Sequence, residues 1–391
     1  MAVGFEVQDG SKKSDNGKLN SYTGNASSLY GKGWFPMSEP TVSLLVPIYN
    51  VESYLRECLD SARAQTLDDI EIICINDGST DGSRAIIQEY LDTDPRFRVI
   101  DKPNSGYGAS MNMGLEAARG EYVAILESDD FFELDALEKL VTAARAFDVP
   151  VAKANFWFYW STPEEKNELF ELVSPEMAGR VVDLEEERDI FYLKPSIWSA
   201  VYSRDFINEN GIRFLETPGA SYQDAAFNFK VWACAKRATF LHEAIIHYRQ
   251  DNEASSVNSP SKVYCVCDEY QEMFSFVEAS PVRAGLVPVL EKMKYDSYMW
   301  NYERLSEPLK REFIDRFSRE FVKDNAEGKL DLDYFEWWKK RDLETIMENP
   351  SLYHAQREAS MHSGQFAKAF TYFRIGGPLM VWKVFRKKIS R

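Results

Sequence analysis

Residues 43–48 form a short apolar run, Ser-Leu-Leu-Val-Pro-Ile, after which Val51, Tyr54, Leu55, Cys58, Leu59 and Ala62 recur at spacings of three and four. The run predicts a buried strand and the spacing predicts one face of a helix. The same alternation repeats. Strands are expected at 70–75, 97–100 and 122–126, and helices at 81–91, 106–118 and 133–146. The inward positions are Ile86, Ile87, Tyr90 and Leu91 in the first of these helices and Leu134, Leu137, Leu140 and Val141 in the last. Strands separated by helical stretches of ten to fifteen residues imply an α/β fold whose parallel sheet is covered on both faces. Ligands of such sheets sit beyond the carboxyl ends of the strands, so the loops after Ile48, Ile75 and Leu126 should converge on one site.

The rest of the chain is organised differently. Residues 1–40, rich in Gly, Ser, Asn and Lys, show no sustained period and read as a flexible leader. From about Pro150 the pattern is mixed, with an aromatic run at 156–160, and beyond Pro260 it is mainly helical. A Ser/Asn/Pro stretch at 255–262 reads as a linker, giving an α/β domain over 41–258 and a helical region over 259–391. A chain of 391 residues has room for more than one core. Its 45% hydrophobic content excludes a disordered chain. No run approaches the roughly 18 apolar residues of a membrane span. With 46 Lys and Arg against 62 Asp and Glu, the net charge of -16 opposes nucleic-acid binding along the body of the chain. Five scattered cysteines without a Cys-x-x-Cys pair fit a reducing compartment, and Cys265 and Cys267 lack a second pair with which to hold a metal. The N-terminus has no apolar secretory core, so a cytoplasmic location is expected.

The three loops carry the candidate chemistry. After the first strand, Pro47 stiffens a turn that presents the Tyr49 ring to a flat ligand. After the second, Asp77 precedes Ser79, Thr80 and Asp81, which suit a helix cap, and is freer to accept a hydrogen bond from a nucleobase. After the fourth come Glu127, Ser128, Asp129 and Asp130, and extended backbone would place Glu127 and Asp129 on one side. Three carboxylates in four residues repel one another unless a cation compensates them, and oxygen ligands suit Mg2+ or Mn2+ better than zinc. A solvated acidic cap for the following helix is the plainer alternative. The loop from Asn104 to Asn112 is glycine-rich, but Met111 stands where a dinucleotide loop needs its third glycine. Gly106 and Gly108 can still admit a phosphate or sugar close to the backbone.

The runs VSLLVPIYNVESYLRECLDS, IEIICINDGSTDGS and NSGYGASMNMGLEAARGEYVAILESDD, in this order, resemble family 2 glycosyltransferases over roughly residues 41–255. The resemblance implies a GT-A nucleotide-diphospho-sugar transferase fold, a Rossmann-like mostly parallel sheet with a C-terminal helical region. It implies inverting transfer of a hexosyl or N-acetylhexosaminyl group from a nucleotide-sugar donor, a UDP-sugar above all. The acceptor would be a saccharide or lipid-linked acceptor of cell-surface polysaccharide or glycolipid synthesis. Pro47, Tyr49 and Asp77 would hold the base, with Asn104, Gly106, Ser128 and Arg249 also on the donor. Asp129 and Glu127 would ligate Mn2+ or Mg2+, and His247 could complete that shell. Asp224 matches the family's general base, although a helix N-cap is its plainer reading. Trp198 lies where an acceptor-side aromatic is expected, and a buried core Trp is equally compatible.

Three departures stand out. Glu127 replaces the commoner Asp, Gln223 the usual Glu before the base, and Met111 a frequent Arg, for which Lys102 could substitute as the phosphate-facing cation. At the C-terminus Lys383, Arg386, Lys387, Lys388 and Arg391 accompany Leu379, Trp382, Phe385 and Ile389 at helical spacing. Such a helix can lie on an anionic membrane surface, placing the protein at the inner face of the plasma membrane, or pack on its own domain. Two other functions are compatible with a nucleotide-binding fold. A nucleotidyltransferase would need a basic first loop, which the PIYN turn lacks, and a catalytically degenerate binding protein would keep the cleft without turnover.

Overall fold

The computed structural model describes residues 39–220, 222–252 and 262–362. Residues 1–38 of the leader, most of the Ser/Asn/Pro linker and the basic helix expected near the C-terminus lie outside the described residues.

The first four strands and three helices follow the hydrophobic periodicity. In chain order they are β1 (Val42–Ile48), α1 (Glu52–Arg63), β2 (Ile70–Asn76), α2 (Ser83–Leu91), β3 (Phe97–Asp101), α3 (Tyr107–Ala117) and β4 (Tyr122–Ile125). Every residue of β1 and β2 is buried, as their unbroken apolar runs require for strands covered on both faces. Helix α1 buries Leu55, Cys58, Leu59 and Ala62, the stripe expected from spacing alone. Pro47 is tolerated in central β1 because the pairing with β4 runs only from Val42 to Leu45.

Later elements are β5 (Phe131–Phe132), α4 (Ala136–Phe147), β6 (Val151–Trp160), β7 (Lys166–Phe170), β8 (Val181–Asp183), β9 (Ala200–Ser203), α5 (Arg204–Glu209), α6 (Gln223–Cys234) and β10 (Arg237–Arg249). They complete a ten-stranded sheet in the order β3-β2-β1-β4-β9-β6-β10-β5, with β7 on β6 and β8 on β10. The β3-β2-β1-β4 half is parallel throughout, whereas β9 runs antiparallel to both β4 and β6, and β5 antiparallel to β10. Helix α4 starts at Ala136, later than its periodicity predicts, because Phe131 and Phe132 pair with His247 and Ile246. Leu134, expected inside, is consequently 60% exposed.

Among the described residues five α-helices follow: α7 (Cys265–Glu278), α8 (Val287–Arg304), α9 (Glu307–Ala326), α10 (Trp337–Glu348) and α11 (Pro350–His362). Tyr298 of α8 packs among Phe313, Phe317 and Phe321 of α9 with ring centroids 5.3–6.2 Å apart. Buried Lys230 of α6 reaches Glu272 of α7 at 2.5 Å and the Arg213 carbonyl at 3.1 Å. The described residues from Glu39 onward form one compact unit, and the boundary expected between 258 and 259 lies outside the described residues. All five cysteines are free. No helix among the described residues is long and apolar enough to cross a membrane.

Glu291 of α8 is fully buried, and neither of its carboxylate oxygens has a hydrogen-bond partner among the described residues. Burial pushes its pKa up to about 8, against the partial relief of Lys294. The folded chain therefore keeps a proton that the unfolded chain releases near the ordinary glutamate value. The preference for the folded state weakens as pH rises from there to about 8. Glu291→Gln should leave stability at pH 4 nearly unchanged and raise it by about 2–4 kcal/mol at pH 8.5, measured by chemical denaturation. Equal differences at the two pH values would contradict this reading of the buried carboxyl.

Candidate active site

The turns after β1 and β2 are stitched to each other through side chains. Asn50, at φ 49°, donates its backbone N–H to Ser79 Oγ at 3.2 Å and accepts the Thr80 N–H at its side-chain Oδ1 at 2.7 Å. Asp81 accepts the Glu52 N–H at 3.0 Å and the Ser83 N–H at 3.0 Å, while Glu52 accepts the Gly82 N–H at 2.5 Å. Each acid thus satisfies open N–H groups at the start of the other's helix, α1 or α2, where negative charge is favourable. Tyr49 is left 51% exposed at the mouth of a cleft.

This cleft has a volume of about 860 Å3 and is lined from all three converging loops, from the start of α6 and from the end of β10. Six carboxylates line it, those of Glu52, Asp81, Glu127, Asp129, Asp224 and Asp251, against Lys262 as the one cation among its described lining residues. Tyr49, Ser128 and Trp198 also line it.

Glu127 and Asp129 sit on a tight turn rather than on extended backbone, because the Asp130 N–H bonds back to the Glu127 carbonyl at 3.0 Å. Tyr107, the first residue of α3, donates its hydroxyl to Glu127 Oε1 at 2.6 Å. Burial, joined by the charges of Asp129 and Asp224, pushes Glu127 up to about 8 against that hydrogen bond. Asp129 Oδ2 accepts from Asn252 Nδ2 at 2.8 Å. Asp130 is fully buried. Its Oδ1 accepts the Arg249 N–H at 2.8 Å, Oδ2 has no partner among the described residues, and burial raises its pKa.

Asp224 lies in the first turn of α6, but the N-cap is Tyr222, held at φ 61°. Burial raises the Asp224 pKa, and the Lys194 ammonium opposes that shift. Gln223 is buried and donates to Thr217 Oγ1 at 2.9 Å and the Gly219 carbonyl at 3.3 Å. A Glu here could not donate to these oxygens, which accounts physically for the amide. Trp198, 6% exposed, packs on Tyr248 with centroids 4.9 Å apart and presents an apolar wall.

Several residues expected at the site are placed elsewhere. Pro47 is buried within β1. Asp77 is buried and faces the loop before α3: its carboxylate accepts from Lys102, from the Ser105 N–H at 2.8 Å and from the Gly106 N–H at 3.0 Å. Both Asp77, expected on the base, and Lys102, expected on phosphate, are consumed by this mutual contact. Asn104 is exposed outside the cleft lining. Gly106 and Gly108 serve packing: an added Cβ would meet the Thr217 carbonyl at 2.6 Å from Gly106 and the Leu215 carbonyl at 2.0 Å from Gly108. His247 is not among the cleft-lining residues: its Nδ1 is on Asn167 at 2.7 Å, its Nε2 on the Glu133 carboxylate at 3.0 Å and its ring is stacked on Phe131. The Arg249 side chain is 2% exposed, lies between the Tyr54 and Tyr159 rings, and pairs with Glu57 and the Asp129 carbonyl. It therefore supports the acidic turn from behind.

Sequence reading missed Tyr107, Tyr222, Asn252 and Lys262 as parts of the site. Tyr107 carried the one local signal, a hydroxyl beside a glycine at a predicted helix start.

Residues 43–190 match the family model described as Glycosyl transferase family 2. EpsH of Bacillus subtilis (strain 168), provisionally named a glycosyltransferase, is 36% identical over 220 residues, covering 54% of this chain and 62% of that protein. EpsJ of the same organism, an uncharacterized glycosyltransferase, is 33% identical over 217 residues with the same coverages of 54% and 62%. The chain thus spans less than two thirds of the length of these relatives. TarS of S. aureus, residues 1–349 in complex with UDP, superposes with a TM-score of 0.64 at 20% identity, covering 83% of this chain and 92% of that one. Its complex with UDP-GlcNAc superposes equally, at 0.64 and 19% identity. At these identities the likeness to TarS is one of fold. Residues 43–190 thus resemble the family 2 glycosyltransferases in sequence, and the described chain shares the GT-A fold of TarS.

Removing the Arg249 side chain would leave Glu57 and Asp251 without their buried cation and the Asp129 carbonyl without its donor. Arg249→Met should destabilise the fold by about 1–3 kcal/mol in chemical denaturation. A variant as stable as the parent would contradict the supporting role and return Arg249 to the donor side.

Proposed function

We propose that this protein is a metal-dependent inverting glycosyltransferase that moves a sugar from a nucleoside-diphosphate donor to a hydroxyl of a saccharide or lipid-linked acceptor. The observation that carries the reading is one cleft lined by Glu127 and Asp129 from the turn after β4, Asp224 from α6 and the Trp198 wall. A UDP-sugar is the donor most in keeping with the TarS complexes, which hold UDP and UDP-GlcNAc on the same fold.

An anionic diphosphate would be repelled by six carboxylates unless a cation accompanied it. Glu127 and Asp129 supply the hard oxygen donors that suit Mn2+ or Mg2+, and the raised pKa of Glu127 marks a carboxylate short of positive charge. Bound there, the ion would neutralise charge on the departing nucleoside diphosphate. Tyr107 orients the Glu127 carboxylate, and Asn252 and the Arg249 contact to the Asp129 backbone hold Asp129. Of the residues expected on the donor, Tyr49 and Ser128 line the cleft and would contact the nucleotide.

Asp224 acts as general base. As the acceptor oxygen forms its bond to the anomeric carbon, the bond from that carbon to the diphosphate oxygen breaks on the opposite face, and Asp224 takes the hydroxyl proton. Burial suits the role, because it makes the carboxylate more basic than an exposed Asp. Polysaccharide or glycolipid assembly at the cytoplasmic face of the plasma membrane is the setting that the resemblance to family 2 glycosyltransferases suggests.

Asp224→Asn keeps the shape of the site and removes the base. Transfer from a UDP-sugar, followed by acceptor glycosylation, should fall by about 10²–10⁴-fold while Mn2+-dependent UDP binding changes little. Transfer within a few-fold of the parent rate would remove Asp224 from the role.

A further inference from the structure

Helix α8 turns one large aromatic side chain outward beside the cleft. Trp300 is 48% exposed, and its indole meets the Tyr222 ring edge-to-face with centroids 5.6 Å apart and planes at 87°. The Arg304 guanidinium lies 5.4 Å from the Trp300 ring and 5.6 Å from the Tyr222 ring. Tyr222 itself lines the cleft two positions before Asp224, so the outer flank of the base-bearing turn is an aromatic pair contributed by two distant parts of the chain.

The pair is held in place before any ligand arrives. Arg304 Nε donates to Asn301 Oδ1 at 3.0 Å and Nη2 to the Lys262 carbonyl at 3.3 Å. Buried Asn301 donates to the Val263 carbonyl at 2.9 Å, and Lys262 Nζ donates to the carbonyl of Ala220, another cleft residue. Ordering an exposed indole in this way costs side-chain entropy, and a ring fixed beside a cleft offers a flat apolar surface to whatever lies there. A lipid chain would need a contiguous apolar patch. The ring is instead bordered by the Arg304 guanidinium, a charged hydrogen-bonding group. A pyranose matches both features, with its C–H face on the indole and its hydroxyls toward the polar margin.

We propose that Trp300, positioned by Tyr222 and Arg304, is a stacking platform for a second sugar ring of a saccharide acceptor, so that helix α8 selects glycans longer than one residue. Trp300 lies outside the cleft lining and adjoins it through Tyr222, so it meets the ring beyond the one whose hydroxyl reaches Asp224. The inference rests on the transferase reading above.

The test uses the full chain saturated with Mn2+ and UDP, with cellotetraose, chitotetraose, maltotetraose and their monosaccharides as probes, and binding followed by calorimetry. At least one tetrasaccharide should bind the parent at least about tenfold more tightly than its monosaccharide. Trp300→Ala should abolish that preference and Trp300→Phe should retain part of it, with UDP uptake intact in both as proof of a folded cleft. A tetrasaccharide preference unchanged in Trp300→Ala, or no preference in the parent for any of the three glycans, overturns the platform. Failure of the parent to take up UDP overturns the transferase reading itself.

Discussion

Repulsion among carboxylates crowded at the end of the sheet is the constraint around which the rest of the site is arranged. Most of these acids are satisfied by the protein. Asp81 and Glu52 are spent on the helix starts of α1 and α2. Hydrogen bonds from Ser161 and Thr162 outweigh burial at Asp251 and bring its pKa down to about 2. Arg249 serves Glu57 and, through its backbone, Asp130. Glu127 and Asp224 differ in lining the cleft: burial leaves both, like the enclosed Asp130, more basic than ordinary carboxylates, and the Asp224 charge adds to the shift at Glu127. The division separates acids that hold the fold from acids that remain available to a cation or a proton.

The scaffold makes this division possible by joining a parallel half and a mixed half within one sheet. The parallel half brings three loops to one end, and two of them are locked to each other through Asn50, Asp81 and Glu52. The mixed half returns β10 beside β6 and β5, which carries Arg249 and Asn252 behind the acidic turn. Close backbone packing of α3 against residues 215–219 then sets Tyr107 at Glu127. Gly106 and Gly108 are needed there because a side chain would collide with carbonyl oxygens.

Much of the fold was legible because short apolar runs and three-and-four spacing are local signals. β1 to β4 and the buried stripe of α1 lie where periodicity puts them, and the loops after Ile48 and Leu126 meet in the cleft. The roles of individual polar residues were less legible, since they depend on partners far along the chain. Asp77 looks free in sequence, yet Lys102 and the Ser105 amide occupy it. Arg249 looks like a diphosphate ligand, yet Glu57, 192 positions away, claims its guanidinium. His247 looks like a metal ligand, yet the pairing of β5 with β10 turns it toward Phe131 and Glu133. The share of the helical region in the cleft, through Lys262, and the contact of Trp300 with the cleft residue Tyr222 had no sequence signature at all.

If carboxylate repulsion is what the donor site must overcome, nucleotide affinity depends on a divalent cation. Calorimetric titration of UDP into the full chain, once with Mn2+ and once with EDTA, measures that dependence directly. Binding with Mn2+ that weakens at least about tenfold in EDTA is the expected result, corresponding to about 1.4 kcal/mol or more. Equal affinity in both, or no binding in either, would contradict a metal-dependent nucleotide site at Glu127 and Asp129.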